Sequence, residues 1–343
     1  MRIGRQTVLY DNTPSINFTA STVGKKEGEG PLAADFDVIL ADDYYGEKSW
    51  EKAESRFQEE TARMVLEKAG KNEKEINYVF AGDLLNQCVG SHYAMRSLDI
   101  PFVGLYGACS TMAESMMLAS MLIDGGTAEN GLCVTSSHFC SAEKQYRYPL
   151  EYGGQRTPSA QWTVTASGAA LLEKEGGGPY IYGACTGKII DMGINDVNNM
   201  GAAMAPAANN TLIALFEETK TTPDDYDLIL TGDLGAVGSD LLCELADRNG
   251  YNIYPKHNDC GKMIYDAKRQ DVHAGGSGCG CCGSVFCGHI YKELKRGNIK
   301  RMILLATGAL MNPMTLFQGE TIPAIAHGLI MGTEKENFIK RNL

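Results

Sequence analysis

The chain repeats itself. Tyr226-Asp227-Leu228-Ile229-Leu230-Thr231-Gly232-Asp233-Leu234 carries the apolar pattern of Asn77 to Leu84 and the same Gly-Asp-Leu ending, displaced by 150 residues. Two further landmarks follow in the same order. Gly275-Gly276-Ser277-Gly278-Cys279-Gly280-Cys281 precedes an apolar, helix-like stretch as Gly107-Ala108-Cys109 does, and Arg301 to Ala309 stands where Gly131 to Ser137 stood. Three landmarks in one order imply an internal duplication, and an α/β unit copied once builds a layered pair of halves. The expected halves are residues 1–180 and 181–343.

Local signals fill in the first copy. Ser49 to Ala69 reads as an amphipathic helix with Ser49 as its cap and Gly70 as its stop. Ile76 to Ala81 reads as a strand, residues 92–98 as a helix, and Gly131 to Thr135 and Thr163 to Leu172 as further strands. Residues 1–35 read as an irregular arm, because residues 24–31 are too rich in glycine and charge for a core element. From residue 139 the regular pattern gives way to aromatic and basic residues among glycines, and a long irregular segment inside a regular chain points to function.

Composition narrows the function classes. With 31 Lys and Arg against 42 Asp and Glu, the net charge of −11 excludes a non-specific nucleic-acid binder and a polybasic membrane anchor. No run of about 18 apolar residues occurs, and the N-terminus lacks the apolar region of a secretion signal, so a soluble protein made in the cytoplasm is expected. Eleven cysteines are then expected as reduced thiols, and Cys279-Gly280-Cys281-Cys282 lacks the second knuckle of a zinc site, so no metal is expected.

Cys109 falls where a short apolar run, Ile100 to Val103, turns into the helix-like series Met116 to Ile123. A helix start favours thiolate over thiol, which makes Cys109 the candidate nucleophile, although most free cysteines are merely small buried hydrophobes. A nucleophile needs a base, and of six histidines His257 is singled out because Lys256-His257-Asn258-Asp259-Cys260-Gly261 is polar and lies outside any periodic run.

The Gly-Ala-Cys-Ser turn, the His257 segment, the glycine loop at 275–280 and the strand end Thr307-Gly308-Ala309 together resemble the thiolase superfamily and its condensing enzymes. Longer phrases are more specific. Ala81-Gly82-Asp83-Leu84-Leu85-Asn86-Gln87, Gly107 to Thr111, Tyr148-Pro149 with Glu151 to Gln155, Met204 to Ala208 and Ala326-His327-Gly328 are similar to the stage V sporulation protein AD family, over about residues 5–330. The resemblance implies a five-layered αβαβα thiolase-like fold. It implies a protein that binds dipicolinate (pyridine-2,6-dicarboxylate) and supports its uptake into the developing spore, peripheral to the inner spore membrane through membrane proteins of the same operon. It also implies a homodimer, paired through the edge strand of the first half, expected at Gly131 to Thr135.

In the superfamily the Cys is the acyl nucleophile, the His polarises the thioester, and amides of the Cys and of a late Gly form an oxyanion hole. The loop here reads Gly276-Ser277-Gly278 where condensing enzymes have Gly-Asn-Thr, which argues against turnover. The expected ligand set is Asp83, Cys109, His257, Gly276, Ser277, Gly278 and Gly308, with Cys109 and His257 as vestigial catalytic groups. Arg147 and Arg156 are candidate carboxylate partners, Trp162, Tyr146, Tyr148 and Tyr152 candidate stacking partners, and Asp83 alternatively a helix cap. No resident cofactor is implied, calcium entering only with the ligand. The alternative reading is a condensing enzyme transferring acyl groups through Cys109.

Overall fold

The computed structural model describes residues 1–146 and 156–341. The duplication is visible in its topology. In the first half β1 (Ser15–Val23), β2 (Val79–Gly82), β3 (Phe102–Gly104), β4 (Asn130–Ser137) and β5 (Ala166–Glu173) lie in the order β3-β2-β4-β5-β1. In the second, β6 (Tyr180–Cys185), β7 (Leu228–Thr231), β8 (His257–Asp259), β9 (Arg301–Ala309) and β10 (Ala324–Gly332) lie in the order β8-β7-β9-β10-β6. Each sheet has three parallel strands followed by two antiparallel ones. The sheets join at one residue pair, Ser15 with Tyr180.

Alternate residues of each strand explain the layering. On β9, Ile303 and Leu305 enter one apolar cluster, whereas Met302, Leu304 and Ala306 enter another. On β4, Leu132 and Val134 face outward and Cys133 faces the cluster shared with β9. Both faces of both sheets are therefore buried, which is why the strands read as near-continuous apolar runs rather than alternating ones. The outer faces carry α1 (Trp50–Ala69) on the first sheet and α4 (Met200–Thr219) on the second, helices of equal length displaced by the 150 residues of the repeat. Between the sheets lie α2 (Thr111–Asp124) and the helix opened by α3 (Cys279–Val285), giving the five layers αβαβα.

The termini of α1 follow the sequence. Ser49 Oγ accepts the Lys52 amide at 3.4 Å, and Gly70 closes the helix with φ of 63°. The arm does not: Thr7–Leu9 pairs with β6, and Ser15–Val23 is the strand at the junction of the two sheets. Its serines and threonines disguise it. They are tolerated inside because tertiary partners satisfy them, as when Thr19 Oγ1 donates to the Cys287 carbonyl at 2.8 Å and Thr61 Oγ1 to Thr22 Oγ1 at 2.8 Å. Nor is Gly131 to Thr135 an edge. It runs between β2 and β5, and the free edge of the first sheet is β3.

The cysteine cluster has a packing explanation. A Cβ on Gly168 of β5 would lie 2.2 Å from the Gly283 carbonyl, and one on Gly280 2.5 Å from the Ala166 carbonyl, so α3 rests directly on strand backbone. Cys279, Cys281 and Cys282 are buried free thiols, and no group of three or more His, Cys, Asp or Glu among the described residues is arranged to hold a metal. Gly168→Ala should therefore lower stability by about 1–3 kcal/mol through overpacking, read in chemical denaturation, and an unchanged midpoint would refute the close approach.

Candidate functional site

After β3 the chain turns sharply through Gly107 and Ala108 into α2, placing Cys109 at the bend. Ala108 has φ of 50°, a conformation uncommon for a residue with a side chain. Local bonds hold it. Ser110 Oγ and the Ser110 amide both donate to the Gly107 carbonyl, at 2.6 and 3.1 Å, and Thr111 Oγ1 donates to the Ala108 carbonyl at 2.7 Å. The other half presses on the same bend, since a Cβ on Gly308 of β9 would lie 2.3 Å from the Gly107 carbonyl. Only glycine allows this approach.

The group beside the thiol is a carboxylate. Asp233, the second aspartate of the Gly-Asp-Leu repeat, follows β7 and is fully buried. Its Oδ2 accepts Ser277 Oγ at 3.0 Å and the Gly278 amide at 2.9 Å, and its Oδ1 accepts Thr307 Oγ1 at 2.8 Å. Cys109 Sγ lies 3.9 Å from Ser277 Oγ. Burial first, and then the Asp233 carboxylate, push the Cys109 thiol well above its usual pKa, and burial raises Asp233 as well. The helix start that favours thiolate is thus outweighed.

Of the expected set, the structure gathers Cys109, Ser277, Gly278 and Gly308 about this point, Gly276 instead faces Val164, Ile264 and Cys281, and the remaining two sit elsewhere. His257 lies on β8, the edge strand, its Nε2 3.0 Å from Thr231 Oγ1 and its Nδ1 3.6 Å from Cys243 Sγ. It is absent from the lining of the cavity at Cys109, and burial lowers its pKa to about 4, so the ring is neutral. The polar segment around it reflects a different task. Asp259 caps the turn that follows, accepting the amides of Leu234, Gly235 and Lys262 and the Thr231 hydroxyl. Asp83 takes the bland role: Oδ1 accepts the Leu85 amide at 2.8 Å, and Oδ2 the Ser91 amide and hydroxyl, both at 2.7 Å, in the first turn of helix Val89–Met95.

The cavity is small, about 40 Å³, enough for a few waters. Cys109, Ala108 and Ser277 form its floor with Leu84, Tyr146, Thr163, Met200, Ala309 and Met311 around them, and Glu143 also lines it. Arg156 is already paired, its Nη2 2.6 Å from Glu143 Oε1. Trp162 is stacked on Phe139 with ring centroids 3.9 Å apart and covered by Lys26 Nζ at 3.6 Å, so neither face awaits a ligand. Tyr146 does reach the site, donating to the Leu84 carbonyl at 2.5 Å. Arg147, Tyr148 and Tyr152 lie outside the described residues.

A cysteine at a strand-to-helix bend, on the seam of two duplicated halves, defines the thiolase fold. Solved structures agree. An acetyl-CoA acetyltransferase from Syntrophomonas wolfei aligns with a TM-score of 0.61 at 10% identity over 95% of this chain and 100% of that one. A variant of OleA from Xanthomonas campestris gives 0.60 at 13% over 94% and 98%, and 3-oxoacyl-[acyl-carrier-protein] synthase III from Aquifex aeolicus gives 0.54 at 10% over 93% and 99%. Within that class, the chain belongs to the stage V sporulation protein AD family, whose model matches residues 4–332. The stage V sporulation protein AD of Bacillus subtilis is 45% identical over 327 residues, 95% of this chain and 96% of that protein.

Asp233 was legible only as half of a repeat; nothing local marks it as the neighbour of Cys109. Its effect on the thiol is measurable. Asp233→Asn removes the charge that opposes thiolate, so Cys109 should be alkylated at lower pH than in the wild type, whereas His257→Ala should leave the profile unchanged. Pulse alkylation across pH with peptide mapping reads this, and a profile that follows His257 instead would refute the assignment.

Proposed function

We propose that this chain acts in sporulation as a ligand-binding member of the thiolase fold, holding dipicolinate in the cavity at Cys109 and supporting its uptake into the developing spore, without turning over acyl thioesters. Family membership and the Bacillus subtilis relative support the sporulation role. The observation that carries the non-catalytic reading is the buried carboxylate of Asp233 beside Cys109. An acyl nucleophile has to be a thiolate, and burial together with that carboxylate holds the thiol protonated at neutral pH. Ser277, where condensing enzymes carry an Asn, supplies a hydroxyl already engaged by Asp233.

A flat aromatic diacid is larger than the cavity as it stands, and Met200 and Met311, beside Leu84 and Tyr146, have the torsional freedom to widen it. Its charge has to be met. An ionised Asp233, behind Ser277 rather than in the lining, repels a carboxylate held in the cavity, whereas a protonated one does not, and burial already raises the Asp233 pKa. Calcium entering with the ligand would relieve the same repulsion. Because the protonated site binds the dianion better, affinity should fall as pH rises through the Asp233 pKa.

Calorimetry should show dipicolinate binding in the micromolar to millimolar range. Cys109→Phe, which fills the cavity, should abolish it, and Asp233→Asn should tighten it and flatten its pH dependence. No heat at millimolar dipicolinate, with or without calcium, would count against the reading. Incubation with acetyl-CoA should leave the intact mass unchanged; an acetyl adduct on Cys109 would instead favour a condensing enzyme, the reading that the shared fold and the cysteine bend keep in play.

A further inference from the structure

Two segments of the cavity lining clasp each other. Leu84 comes from the loop after β2, and Ala142, Glu143 and Tyr146 come from helix Phe139–Tyr146. The Leu84 carbonyl accepts Gln145 Nε2 at 3.1 Å and the Tyr146 hydroxyl, and the Asn86 amide donates to Gln145 Oε1 at 2.9 Å. Each segment rests on a buried carboxylate. Asp83, fully buried, holds residues 85–91 through two amides and one hydroxyl. Glu54 of α1, 1% exposed, holds the other segment, with Ser136 Oγ of β4 donating to its Oε1 at 3.0 Å and Ser141 Oγ to its Oε2 at 2.7 Å. Gln58, one turn along α1, joins the two sets, its Nε2 donating to Ser91 Oγ at 3.0 Å while that hydroxyl donates to Asp83.

The donors decide which acid carries a proton. Two amides and a hydroxyl can meet a buried charge on Asp83, whereas Glu54 has two hydroxyls and no amide. Ser141 serves either form of Glu54. Its Oγ also lies 3.2 Å from the His138 carbonyl, so it donates to an ionised Glu54, or turns that hydrogen to the carbonyl and accepts from a protonated one. Among the described residues no Lys or Arg pairs with either carboxylate. Glu51 is paired with Lys144 and Glu143 with Arg156; burial lowers the pKa of His138, whose ring meets the Asp43 carbonyl and the Cys140 amide; Cys88 and Cys279 are thiols raised by burial. Burial first, and then the Asp83 carboxylate, push Glu54 up to about 8.

We propose that the proton on Glu54 holds this wall of the cavity shut, and that its loss releases residues 84–91 and 138–146 from their seat. An ionised Glu54 is a second buried charge beside Asp83 with no amide to meet it, so it moves toward water and takes Ser141 and the wall helix with it. The loop is ready to follow. Gln87 and Cys88 have φ of 60° and 53°, a conformation uncommon for residues with side chains and kept only while the surroundings impose it. Access is what the device governs, since a cavity of about 40 Å³ admits a few waters until a wall moves. It acts whatever ligand the cavity takes.

Hydrogen exchange of the full chain, followed by mass spectrometry of its peptides across pH and corrected for the intrinsic pH dependence of exchange, tests this. Glu54 has its ordinary pKa of 4.5 once the wall opens and one of about 8 while it is shut, so opening at residues 84–91 and 138–146 should increase up to about tenfold per pH unit between those values and level off above them. Glu54→Gln keeps the shape and cannot ionise. In that variant the two segments should stay protected with no slope, and the second half should exchange as in the wild type. A slope equal to that of the wild type overturns the proposal, and so does a variant loosened by the same factor at every pH, which would make Glu54 merely structural. The wild type alone is decisive if the variant fails to fold: a flat profile, or a slope shared by β9 and β10 rather than confined to the two segments, overturns the proposal as well.

Discussion

Backbone lying against backbone is the constraint from which the architecture follows. Gly168 meets Gly283 where α3 lies on the first sheet, and Gly308 meets the Gly107 carbonyl where the second half presses on the cysteine bend. Without these approaches the two central helices could not share one layer between two sheets, and the inner faces of β4 and β9 would have no common cluster to enter. The site is a product of that packing. Cys109 comes from one half, and Asp233, Ser277 and Gly308 come from the other.

Duplication supplied two aspartates at equivalent strand ends, and their partners diverged. Asp83 turns back on its own half, organising the loop and helix that follow it. Asp233 reaches across to Ser277, Gly278 and Thr307 and stands against a thiol. A fully buried carboxylate is tolerable only because it collects these donors, and the same burial makes it hold a proton more readily. The result is a cysteine in the position of a nucleophile, kept as a thiol by its surroundings.

Methionine side chains stand at the cavity beside Cys109. Met200 and Met311 line it beside Leu84 and Tyr146. The glutamate in its lining is held by Arg156, which itself lies against the stacked pair of Phe139 and Trp162.

The residues alone determined the duplication, the 150-residue displacement, the capped helix at 49–69 and the place of Cys109, because each depends on spacing within a few turns or on one half matching the other. They did not disclose β1, whose serines and threonines look like an arm until distant carbonyls and hydroxyls satisfy them. They pointed to His257 and passed over Asp233. Polarity made the histidine conspicuous, yet its ring is occupied by Thr231 and Cys243 on an edge strand, and only the meeting of the two halves sets a carboxylate beside the thiol. A pattern along the chain records what neighbours in sequence can do together. Which groups meet across the seam was decided by glycine-permitted packing, which has no signature within either segment.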